Sequence, residues 1–484
     1  MKVEHPGALS RQAWRLAALS LAFVLLAAMA AACAGEDEET PSDTGTPVAT
    51  TSPGTTAVGT ATPQGTTTAS GEVPGISDTE ILLGAECILS GSMGAVYATI
   101  PKTVSAYFNY INETQGGVCG RKIVYNVEDN TDDPARAVEV ARKLVEQDKV
   151  FAMVGSLGDS PHPATMEFLN ERGVPDILVS AGGHRFGAEP EKYPWTIQMI
   201  PSYTVEGTFF GRYISENMPG KKVAVLWENS AAGIDGLAGV KKGLDPSKNE
   251  LVADESYNIG DISIASQVTN LKDSGAEVVV VHGSPGFTAQ LIKNADRLGW
   301  HPQLLMSYIN SDDMMFSFAP PKLLEGTITF QALKLAAWRD DPAVARHYEL
   351  MQKYGGPPPT NFTIYAQALA ETAVEVLNRS CDNLTRDGLM EAVESLQGFH
   401  SDLMLDDVTV SFSDTDHTGM QSGHMLKVTV DEKGQGEFEY FGPLVEFEQG
   451  RRRLWRSSAS SRRSWASARR LPLMPACGQR RGTR

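Results

Sequence analysis

The 484-residue chain predicts an α/β architecture, and three observations carry that prediction. Short uninterrupted apolar runs recur along its middle, each ends in a loop bearing Gly or Ser, and a segment with apolar residues at helical spacing follows. Apolar residues make up 42% and charged residues 21%, enough for two or three domains with cores of their own, which excludes a wholly disordered chain. The net charge of −17 argues against nucleic acid as the main partner, because an acidic surface repels phosphate.

At the amino terminus Lys2, Arg11 and Arg15 precede an apolar run over residues 16–32 that ends in small residues. This is the layout of an export signal, with a short membrane anchor as the alternative. Cys33 directly follows Ala30, Ala31 and Ala32, and this resembles the lipobox of bacterial lipoproteins, in which the cysteine is acylated. Ala30 departs from the Leu usual there. Residues 33–74 are an acidic patch followed by Thr, Ser, Gly, Pro and Ala, a composition without a core. As a flexible coil this tether spans about 35 Å. The expected location is thus extracytoplasmic, held at the cell membrane by lipid.

Over residues 75–448, strands are expected at 81–83, 150–154, 177–179, 223–227, 278–281 and 304–308, with helices at 99–113, 163–172, 205–217, 234–244 and 287–298. The clearest unit opens at Asp133-Pro134, a capping residue with proline in the first turn. Ala137, Val140, Ala141, Leu144 and Val145 then share one helical face, and Arg136, Glu139, Arg142, Lys143 and Glu146 the other. Six strands are too many for one small sheet, and two sheets joined by crossing segments fit better. Cys87, Cys119 and Cys381 allow at most one disulfide, whose pairing the sequence leaves open. No Cys-x-x-Cys or His-Glu-x-x-His spacing occurs, so neither metal nor cofactor is expected. Residues 449–484 bring 11 Arg and no acid, which leaves −28 on the 448 residues before them. This tail is a basic extension or, as the abrupt change in composition favours, a frameshifted read-through.

Five segments then carry a resemblance: residues 75–91 (GISDTEILLGAECILSG), 111–158 (INETQGGVCGRKIVYNVEDNTDDPARAVEVARKLVEQDKVFAMVGSLG), 169–183 (LNERGVPDILVSAGG), 193–207 (YPWTIQMIPSYTVEG) and 271–283 (LKDSGAEVVVVHG). In order, over roughly 75–447, they resemble the branched-chain amino acid (Leu/Ile/Val-binding-like) class of ABC-transporter substrate-binding proteins. The resemblance implies a periplasmic-binding-protein type I fold, two Rossmann-like lobes joined by three hinge crossings, near 198–202, near 327–333 and between 400 and 424. Lobe one then holds 75–200 plus 330–405, and lobe two 201–329 plus 406–448. Capture of an amino acid or related amide, and partnership with a permease and its ATPase, are likewise implied. A sensing module on the same fold is the alternative. An enzyme is the lesser one, since no nucleophile elbow, phosphate loop or dinucleotide fingerprint is present.

In open α/β sheets, ligands sit beyond the carboxyl ends of the strands. On the first lobe this selects the loops 89–97, 155–160 and 180–184. In the family, the matching loops hold a ligand carboxylate through hydroxyls and backbone amides and pack an aromatic ring on the ligand. The resemblance thereby nominates Ser90, Tyr97, Leu157, Ser160 and Gly182, with a helix cap and a half-buried ring as the ordinary readings of Ser90 and Tyr97. Asp159 and His184 stand where the family has hydroxyls. Asp159 either caps a helix or attracts an ammonium, and an anionic group there would be repelled. On the second lobe Ala232 replaces a usual aromatic, and the loop 308–312 offers Tyr308 and Asp312. Asp312 is either an ammonium partner or the cap of the helix containing Met314 and Met315. These departures cast doubt on an ordinary branched-chain amino acid as ligand.

Overall fold

The computed structural model describes residues 72–446 except Ser92. The export signal, Cys33, nearly all of the tether and the arginine-rich tail lie outside these residues. The first sheet holds β1 (Glu80–Cys87), β2 (Lys122–Asp129), β3 (Ala152–Val154), β4 (Asp176–Val179) and β5 (Thr196–Gln198) in the order β2-β1-β3-β4-β5, all parallel. The second holds β6 (Lys222–Glu228), β7 (Glu250–Tyr257), β8 (Val278–His282), β9 (Gln303–Met306), β10 (Ile328–Gln331), β11 (Ser422–Val430) and β12 (Gly436–Glu446) in the order β12-β11-β10-β9-β8-β6-β7. Its last two strands, β11 and β12, run antiparallel. β3, β4 and β8 are buried throughout, as strands covered on both faces must be.

The chain passes between the sheets three times: after β5, after β10 and before β11. The boundary expected at 405 is corrected here. Val408, Val410, Phe412 and Met420 pack in the first lobe's core, and Thr418 bridges to Gln198 of β5, so the last crossing comes at Gln421. Three helices without a sequence expectation, Pro342–Lys353, Asn361–Arg379 and Arg386–Glu394, also join the first core. β2 and β7 were not expected either. As edge strands they keep polar residues half-exposed and never form an uninterrupted apolar run.

Local chemistry explains the helices that frame the ligand side. Asp133 accepts the Arg136 N–H at 2.8 Å, and the predicted apolar face from Ala137 to Val145 is buried. The helices Tyr203–Asn217 and Ala231–Gly243 approach so closely that a Cβ on Gly207 would lie 2.3 Å from the Gly236 carbonyl oxygen, and one on Gly243 2.0 Å from that of Thr208. Under β1 lies a buried ionic group: His162 Nε2 stands 3.0 Å from Asp176 Oδ2 and its Nδ1 3.4 Å from Glu86 Oε1. Burial pulls the imidazole down, but the two carboxylates prevail and hold it up at about 10, so it is charged.

A disulfide joins Cys119 to Cys381, with Cα atoms 5.3 Å apart, while Cys87 is a buried free thiol. It closes a loop across 262 residues, tying the turn before β2 to the segment after the helix Asn361–Arg379. The first lobe is built from two distant stretches of chain, and this bond links them covalently. Cys119→Ser with Cys381→Ser should therefore lower stability by about 2–4 kcal/mol in chemical denaturation. An unchanged midpoint, with or without reductant, would reject a structural role for the bond.

Candidate functional site

The carboxyl ends of both sheets open on one cavity of about 1410 Å³, counted with the part open to solvent. On the first lobe the turn after β3 carries Leu157, Asp159 and Ser160 to its wall, and the helix Asn361–Arg379 contributes Asn361, Phe362 and Tyr365. On the second lobe the turns after β6, β8 and β9 contribute Glu228, Phe287 and Tyr308. Tyr97 and Phe362 meet edge to face at 5.8 Å, while Tyr203 and Tyr308 stack at 5.6 Å with planes 12° apart.

Asp159 is held from three directions. Its Oδ1 accepts the N–H groups of Gly182 at 2.7 Å and Gly183 at 3.1 Å, and its Oδ2 faces the Tyr203 hydroxyl at 3.3 Å. Gly182 is required there, because a Cβ would sit 2.4 Å from the Tyr203 ring. Burial outweighs these donors and raises the carboxyl to about 7, with the charge of Glu228 adding to the rise. Glu206, fully buried in the helix Tyr203–Asn217, accepts from Ser307 Oγ at 2.8 Å and Tyr308 N–H at 2.7 Å and so fixes the Tyr308 turn. Burial lifts it to about 8.

The nominated residues divide. Tyr97, Leu157, Asp159, Ser160, Tyr308 and Asp312 line the cavity. Gly182 stands behind Asp159 as its donor. Ser90 is exposed, outside the lining, and bonds the Asp129 carboxylate. His184 is outside as well: its N–H donates to Asp235 Oδ2 at 2.7 Å and its Nδ1 meets Ser202 Oγ at 3.1 Å, a link to the second lobe. Asp312 accepts the N–H groups of Met314 at 2.9 Å and, across the lobes, Asn361 at 2.7 Å, which is the capping arrangement. Asp132, Glu206, Tyr203, Phe362 and Tyr365 had no expectation. Only folding brings them to the site, although the pairing of an apolar helix face with aromatic residues at 362 and 365 is a signal the sequence holds. Ala232 lines the wall in place of the family's aromatic, and Phe287, stacked on Tyr257 at 4.1 Å, supplies a ring on that lobe.

A family model described as periplasmic binding protein matches residues 80–435. The chain belongs to that family. Among curated relatives, a Leu/Ile/Val-binding protein homolog 2 from Brucella abortus is 27% identical over 314 residues, 64% of this chain and 81% of that protein. Two solved structures share the fold. A fatty acid ABC transporter substrate-binding protein from Thermomonospora curvata has a TM-score of 0.66 at 23% identity, over 77% of this chain and 94% of that one. A branched chain amino acid ABC transporter protein from Thermus thermophilus with bound valine has a TM-score of 0.65 at 19% identity, over 76% of this chain and 98% of that one. Periplasmic-binding-protein type I is thus the fold of the body.

The buried acids make stability depend on pH in a definite sense. Asp159 at about 7 and Glu206 at about 8 keep protons that the unfolded chain, with ordinary values of 3.8 and 4.5, has already released. Their folded state is therefore favoured on the acid side and loses ground as pH rises through the folded values. His162, raised to about 10 from 6.5, contributes fully below 6.5 and loses its contribution toward 10. All three act together between pH 6.5 and about 8, and Glu206 and His162 carry the slope on to 9, each by at most about 1.4 kcal/mol per pH unit. His282, pulled by burial to about 3, acts below its unfolded value of 6.5. The unliganded melting temperature should fall from pH 6.5 to 9, and Asp159→Asn should flatten the first part of that slope. A melting temperature that climbs over this range contradicts the assignment.

Proposed function

We propose that this chain is an extracytoplasmic solute-binding lipoprotein of an ABC importer. It takes a small polar molecule, an amino acid or related amide, into the interlobe cavity and hands it unaltered to a membrane permease driven by an ATPase. The observation that supports this most is the single cavity walled by both lobes at the carboxyl ends of their sheets, in a chain of the periplasmic binding protein family. A solute touching both walls favours the closed arrangement over the open one by its differential affinity, and no bond need change. Cys33, acylated, would anchor the protein, and the tether of residues 33–74 would hold the body clear of the membrane. Among the described residues no helix is long and apolar enough to cross a membrane.

A thermal-shift screen against amino acids, short amides, urea-like compounds and aromatic acids tests the reading. A solute at a hundred times its dissociation constant adds about 2.7 kcal/mol of stability. Tyr97→Ala should remove most of that shift and leave the unliganded melting point nearly unchanged, whereas Ser90→Ala, outside the cavity lining, should respond like the parent. A Tyr97→Ala protein with an undiminished shift would show the solute to bind elsewhere.

A further inference from the structure

The cavity presents a charge problem. Asp132, Asp159, Glu228 and Asp312 all line it, and among the described residues no Lys or Arg does. The basic side chain in the lining is His282, which burial pulls down to about 3 and so keeps neutral. Neither of its ring nitrogens is hydrogen-bonded, and it is 3% exposed.

Several backbone donors beside the cavity that would suit an anion are already taken by the chain's own acids. Asp159 occupies the N–H groups of Gly182 and Gly183. Glu228 accepts from the Tyr257 hydroxyl at 3.2 Å, and that hydroxyl oxygen takes the Ser284 N–H, at the start of the helix Pro285–Arg297, at 3.0 Å. Asp312 accepts from Asn361 and Phe362, at the start of the helix Asn361–Arg379. An entering carboxylate would lose its hydration, meet these negative charges and find these donors occupied.

Asp132 is different. It sits beyond β2 in left-handed backbone, φ 59°, and lines the cavity, yet among the described residues its carboxylate receives no hydrogen bond and joins no ion pair. Burial and the charges of Glu228 and Glu86 raise it to about 6, as expected of negative charge lacking a counterpart. The rings of Tyr97, Phe362, Tyr203 and Tyr308 line the same space, and aromatic rings attract cations through their faces.

From this arrangement we infer that the cavity takes a cationic solute, an ammonium- or amidinium-bearing molecule with an apolar body and no free carboxylate, whose charge is met by Asp132. The inference rests on the capture role proposed above and narrows its solute class. The fixed acids serve as internal caps that hold the loops and exclude anions, and Asp132 is the acid left open to the solute.

Three probes sharing one branched body and differing in charge decide it: leucinamide (cation), leucine (zwitterion) and 4-methylpentanoate (anion). Titration calorimetry of the full-length protein at pH 7, where the leucinamide amine is mostly protonated and Asp132, at about 6, mostly ionised, should show leucinamide binding at least tenfold more tightly than either carboxylate-bearing probe. Asp132→Asn should weaken leucinamide roughly tenfold, the scale of one hydrogen bond to a charged group, and leave 4-methylpentanoate unchanged or tighter. Leucine or 4-methylpentanoate binding as tightly as leucinamide overturns the charge inference and leaves the capture role standing. A leucinamide affinity untouched by Asp132→Asn overturns the assignment of Asp132. Failure of all three to bind overturns the inference of a branched cationic solute, while the capture role is decided separately by the broader thermal-shift screen.

Discussion

The carboxylate of Asp159, seated on the Gly182 and Gly183 amides and facing the Tyr203 hydroxyl, is the interaction around which the cleft is organised. It ties the turn after β3 to the turn after β4 and, through Tyr203, reaches the first helix beyond the hinge. Tyr203 in turn stacks on Tyr308, whose turn is held by the buried Glu206. The chain thus runs from a first-lobe loop to a second-lobe loop through side chains that leave little freedom for any one of them to move alone. Removing a single member leaves a buried polar group without its partner, which is costly in a low-dielectric interior.

The same arrangement couples recognition to closure. Hydrogen bonds already span the lobes at His184 with Asp235 and at Asn361 with Asp312, and the Tyr308 hydroxyl donates to the Pro201 carbonyl at the first crossing. Apart from the His184 bond they lie in the cavity wall itself, at Pro201, Tyr308, Asp312 and Asn361. In the proposed capture role, closure would depend on the solute's differential affinity for the two arrangements of the lobes. The acids that cap the loops have a second consequence. Their burial makes them weak acids, and the folded protein holds protons at pH values where isolated carboxyls hold none.

The elements legible in the sequence were those whose signal is local. Asp133 followed by Pro134, and the apolar face from Ala137 to Val145, specify a helix whatever lies around it, and the apolar runs of β3, β4, β6, β8 and β9 mark strands covered on both faces. What escaped was set by position in the fold. β2 and β7 are edges, so half their residues face solvent and the apolar pattern dissolves. The helix Asn361–Arg379 is buried on most of its surface, so it lacks the polar face that makes an amphipathic helix stand out. Residues 406–420 cross back to the first core although nothing in their composition separates them from the strands that follow.

The same division holds at the site. Composition and alternation by themselves determined an acidic α/β body and the loops at strand ends as the place for a ligand, and the resemblance to the family marked Asp159, His184 and Ala232 as departures from its pattern. Whether an acid in such a loop meets a solute or caps a turn depends on which N–H groups lie within about 3 Å, and that is a property of chain segments far apart in sequence. Tertiary structure alone decided that Asp159 and Asp312 face backbone donors, that Cys119 pairs with Cys381 across 262 residues, and that Asp132 stands in the cavity with its carboxylate unclaimed among the described residues. Hydrogen bonds reach only a few ångströms, so the partners of a buried charge are known only when the fold has brought them together.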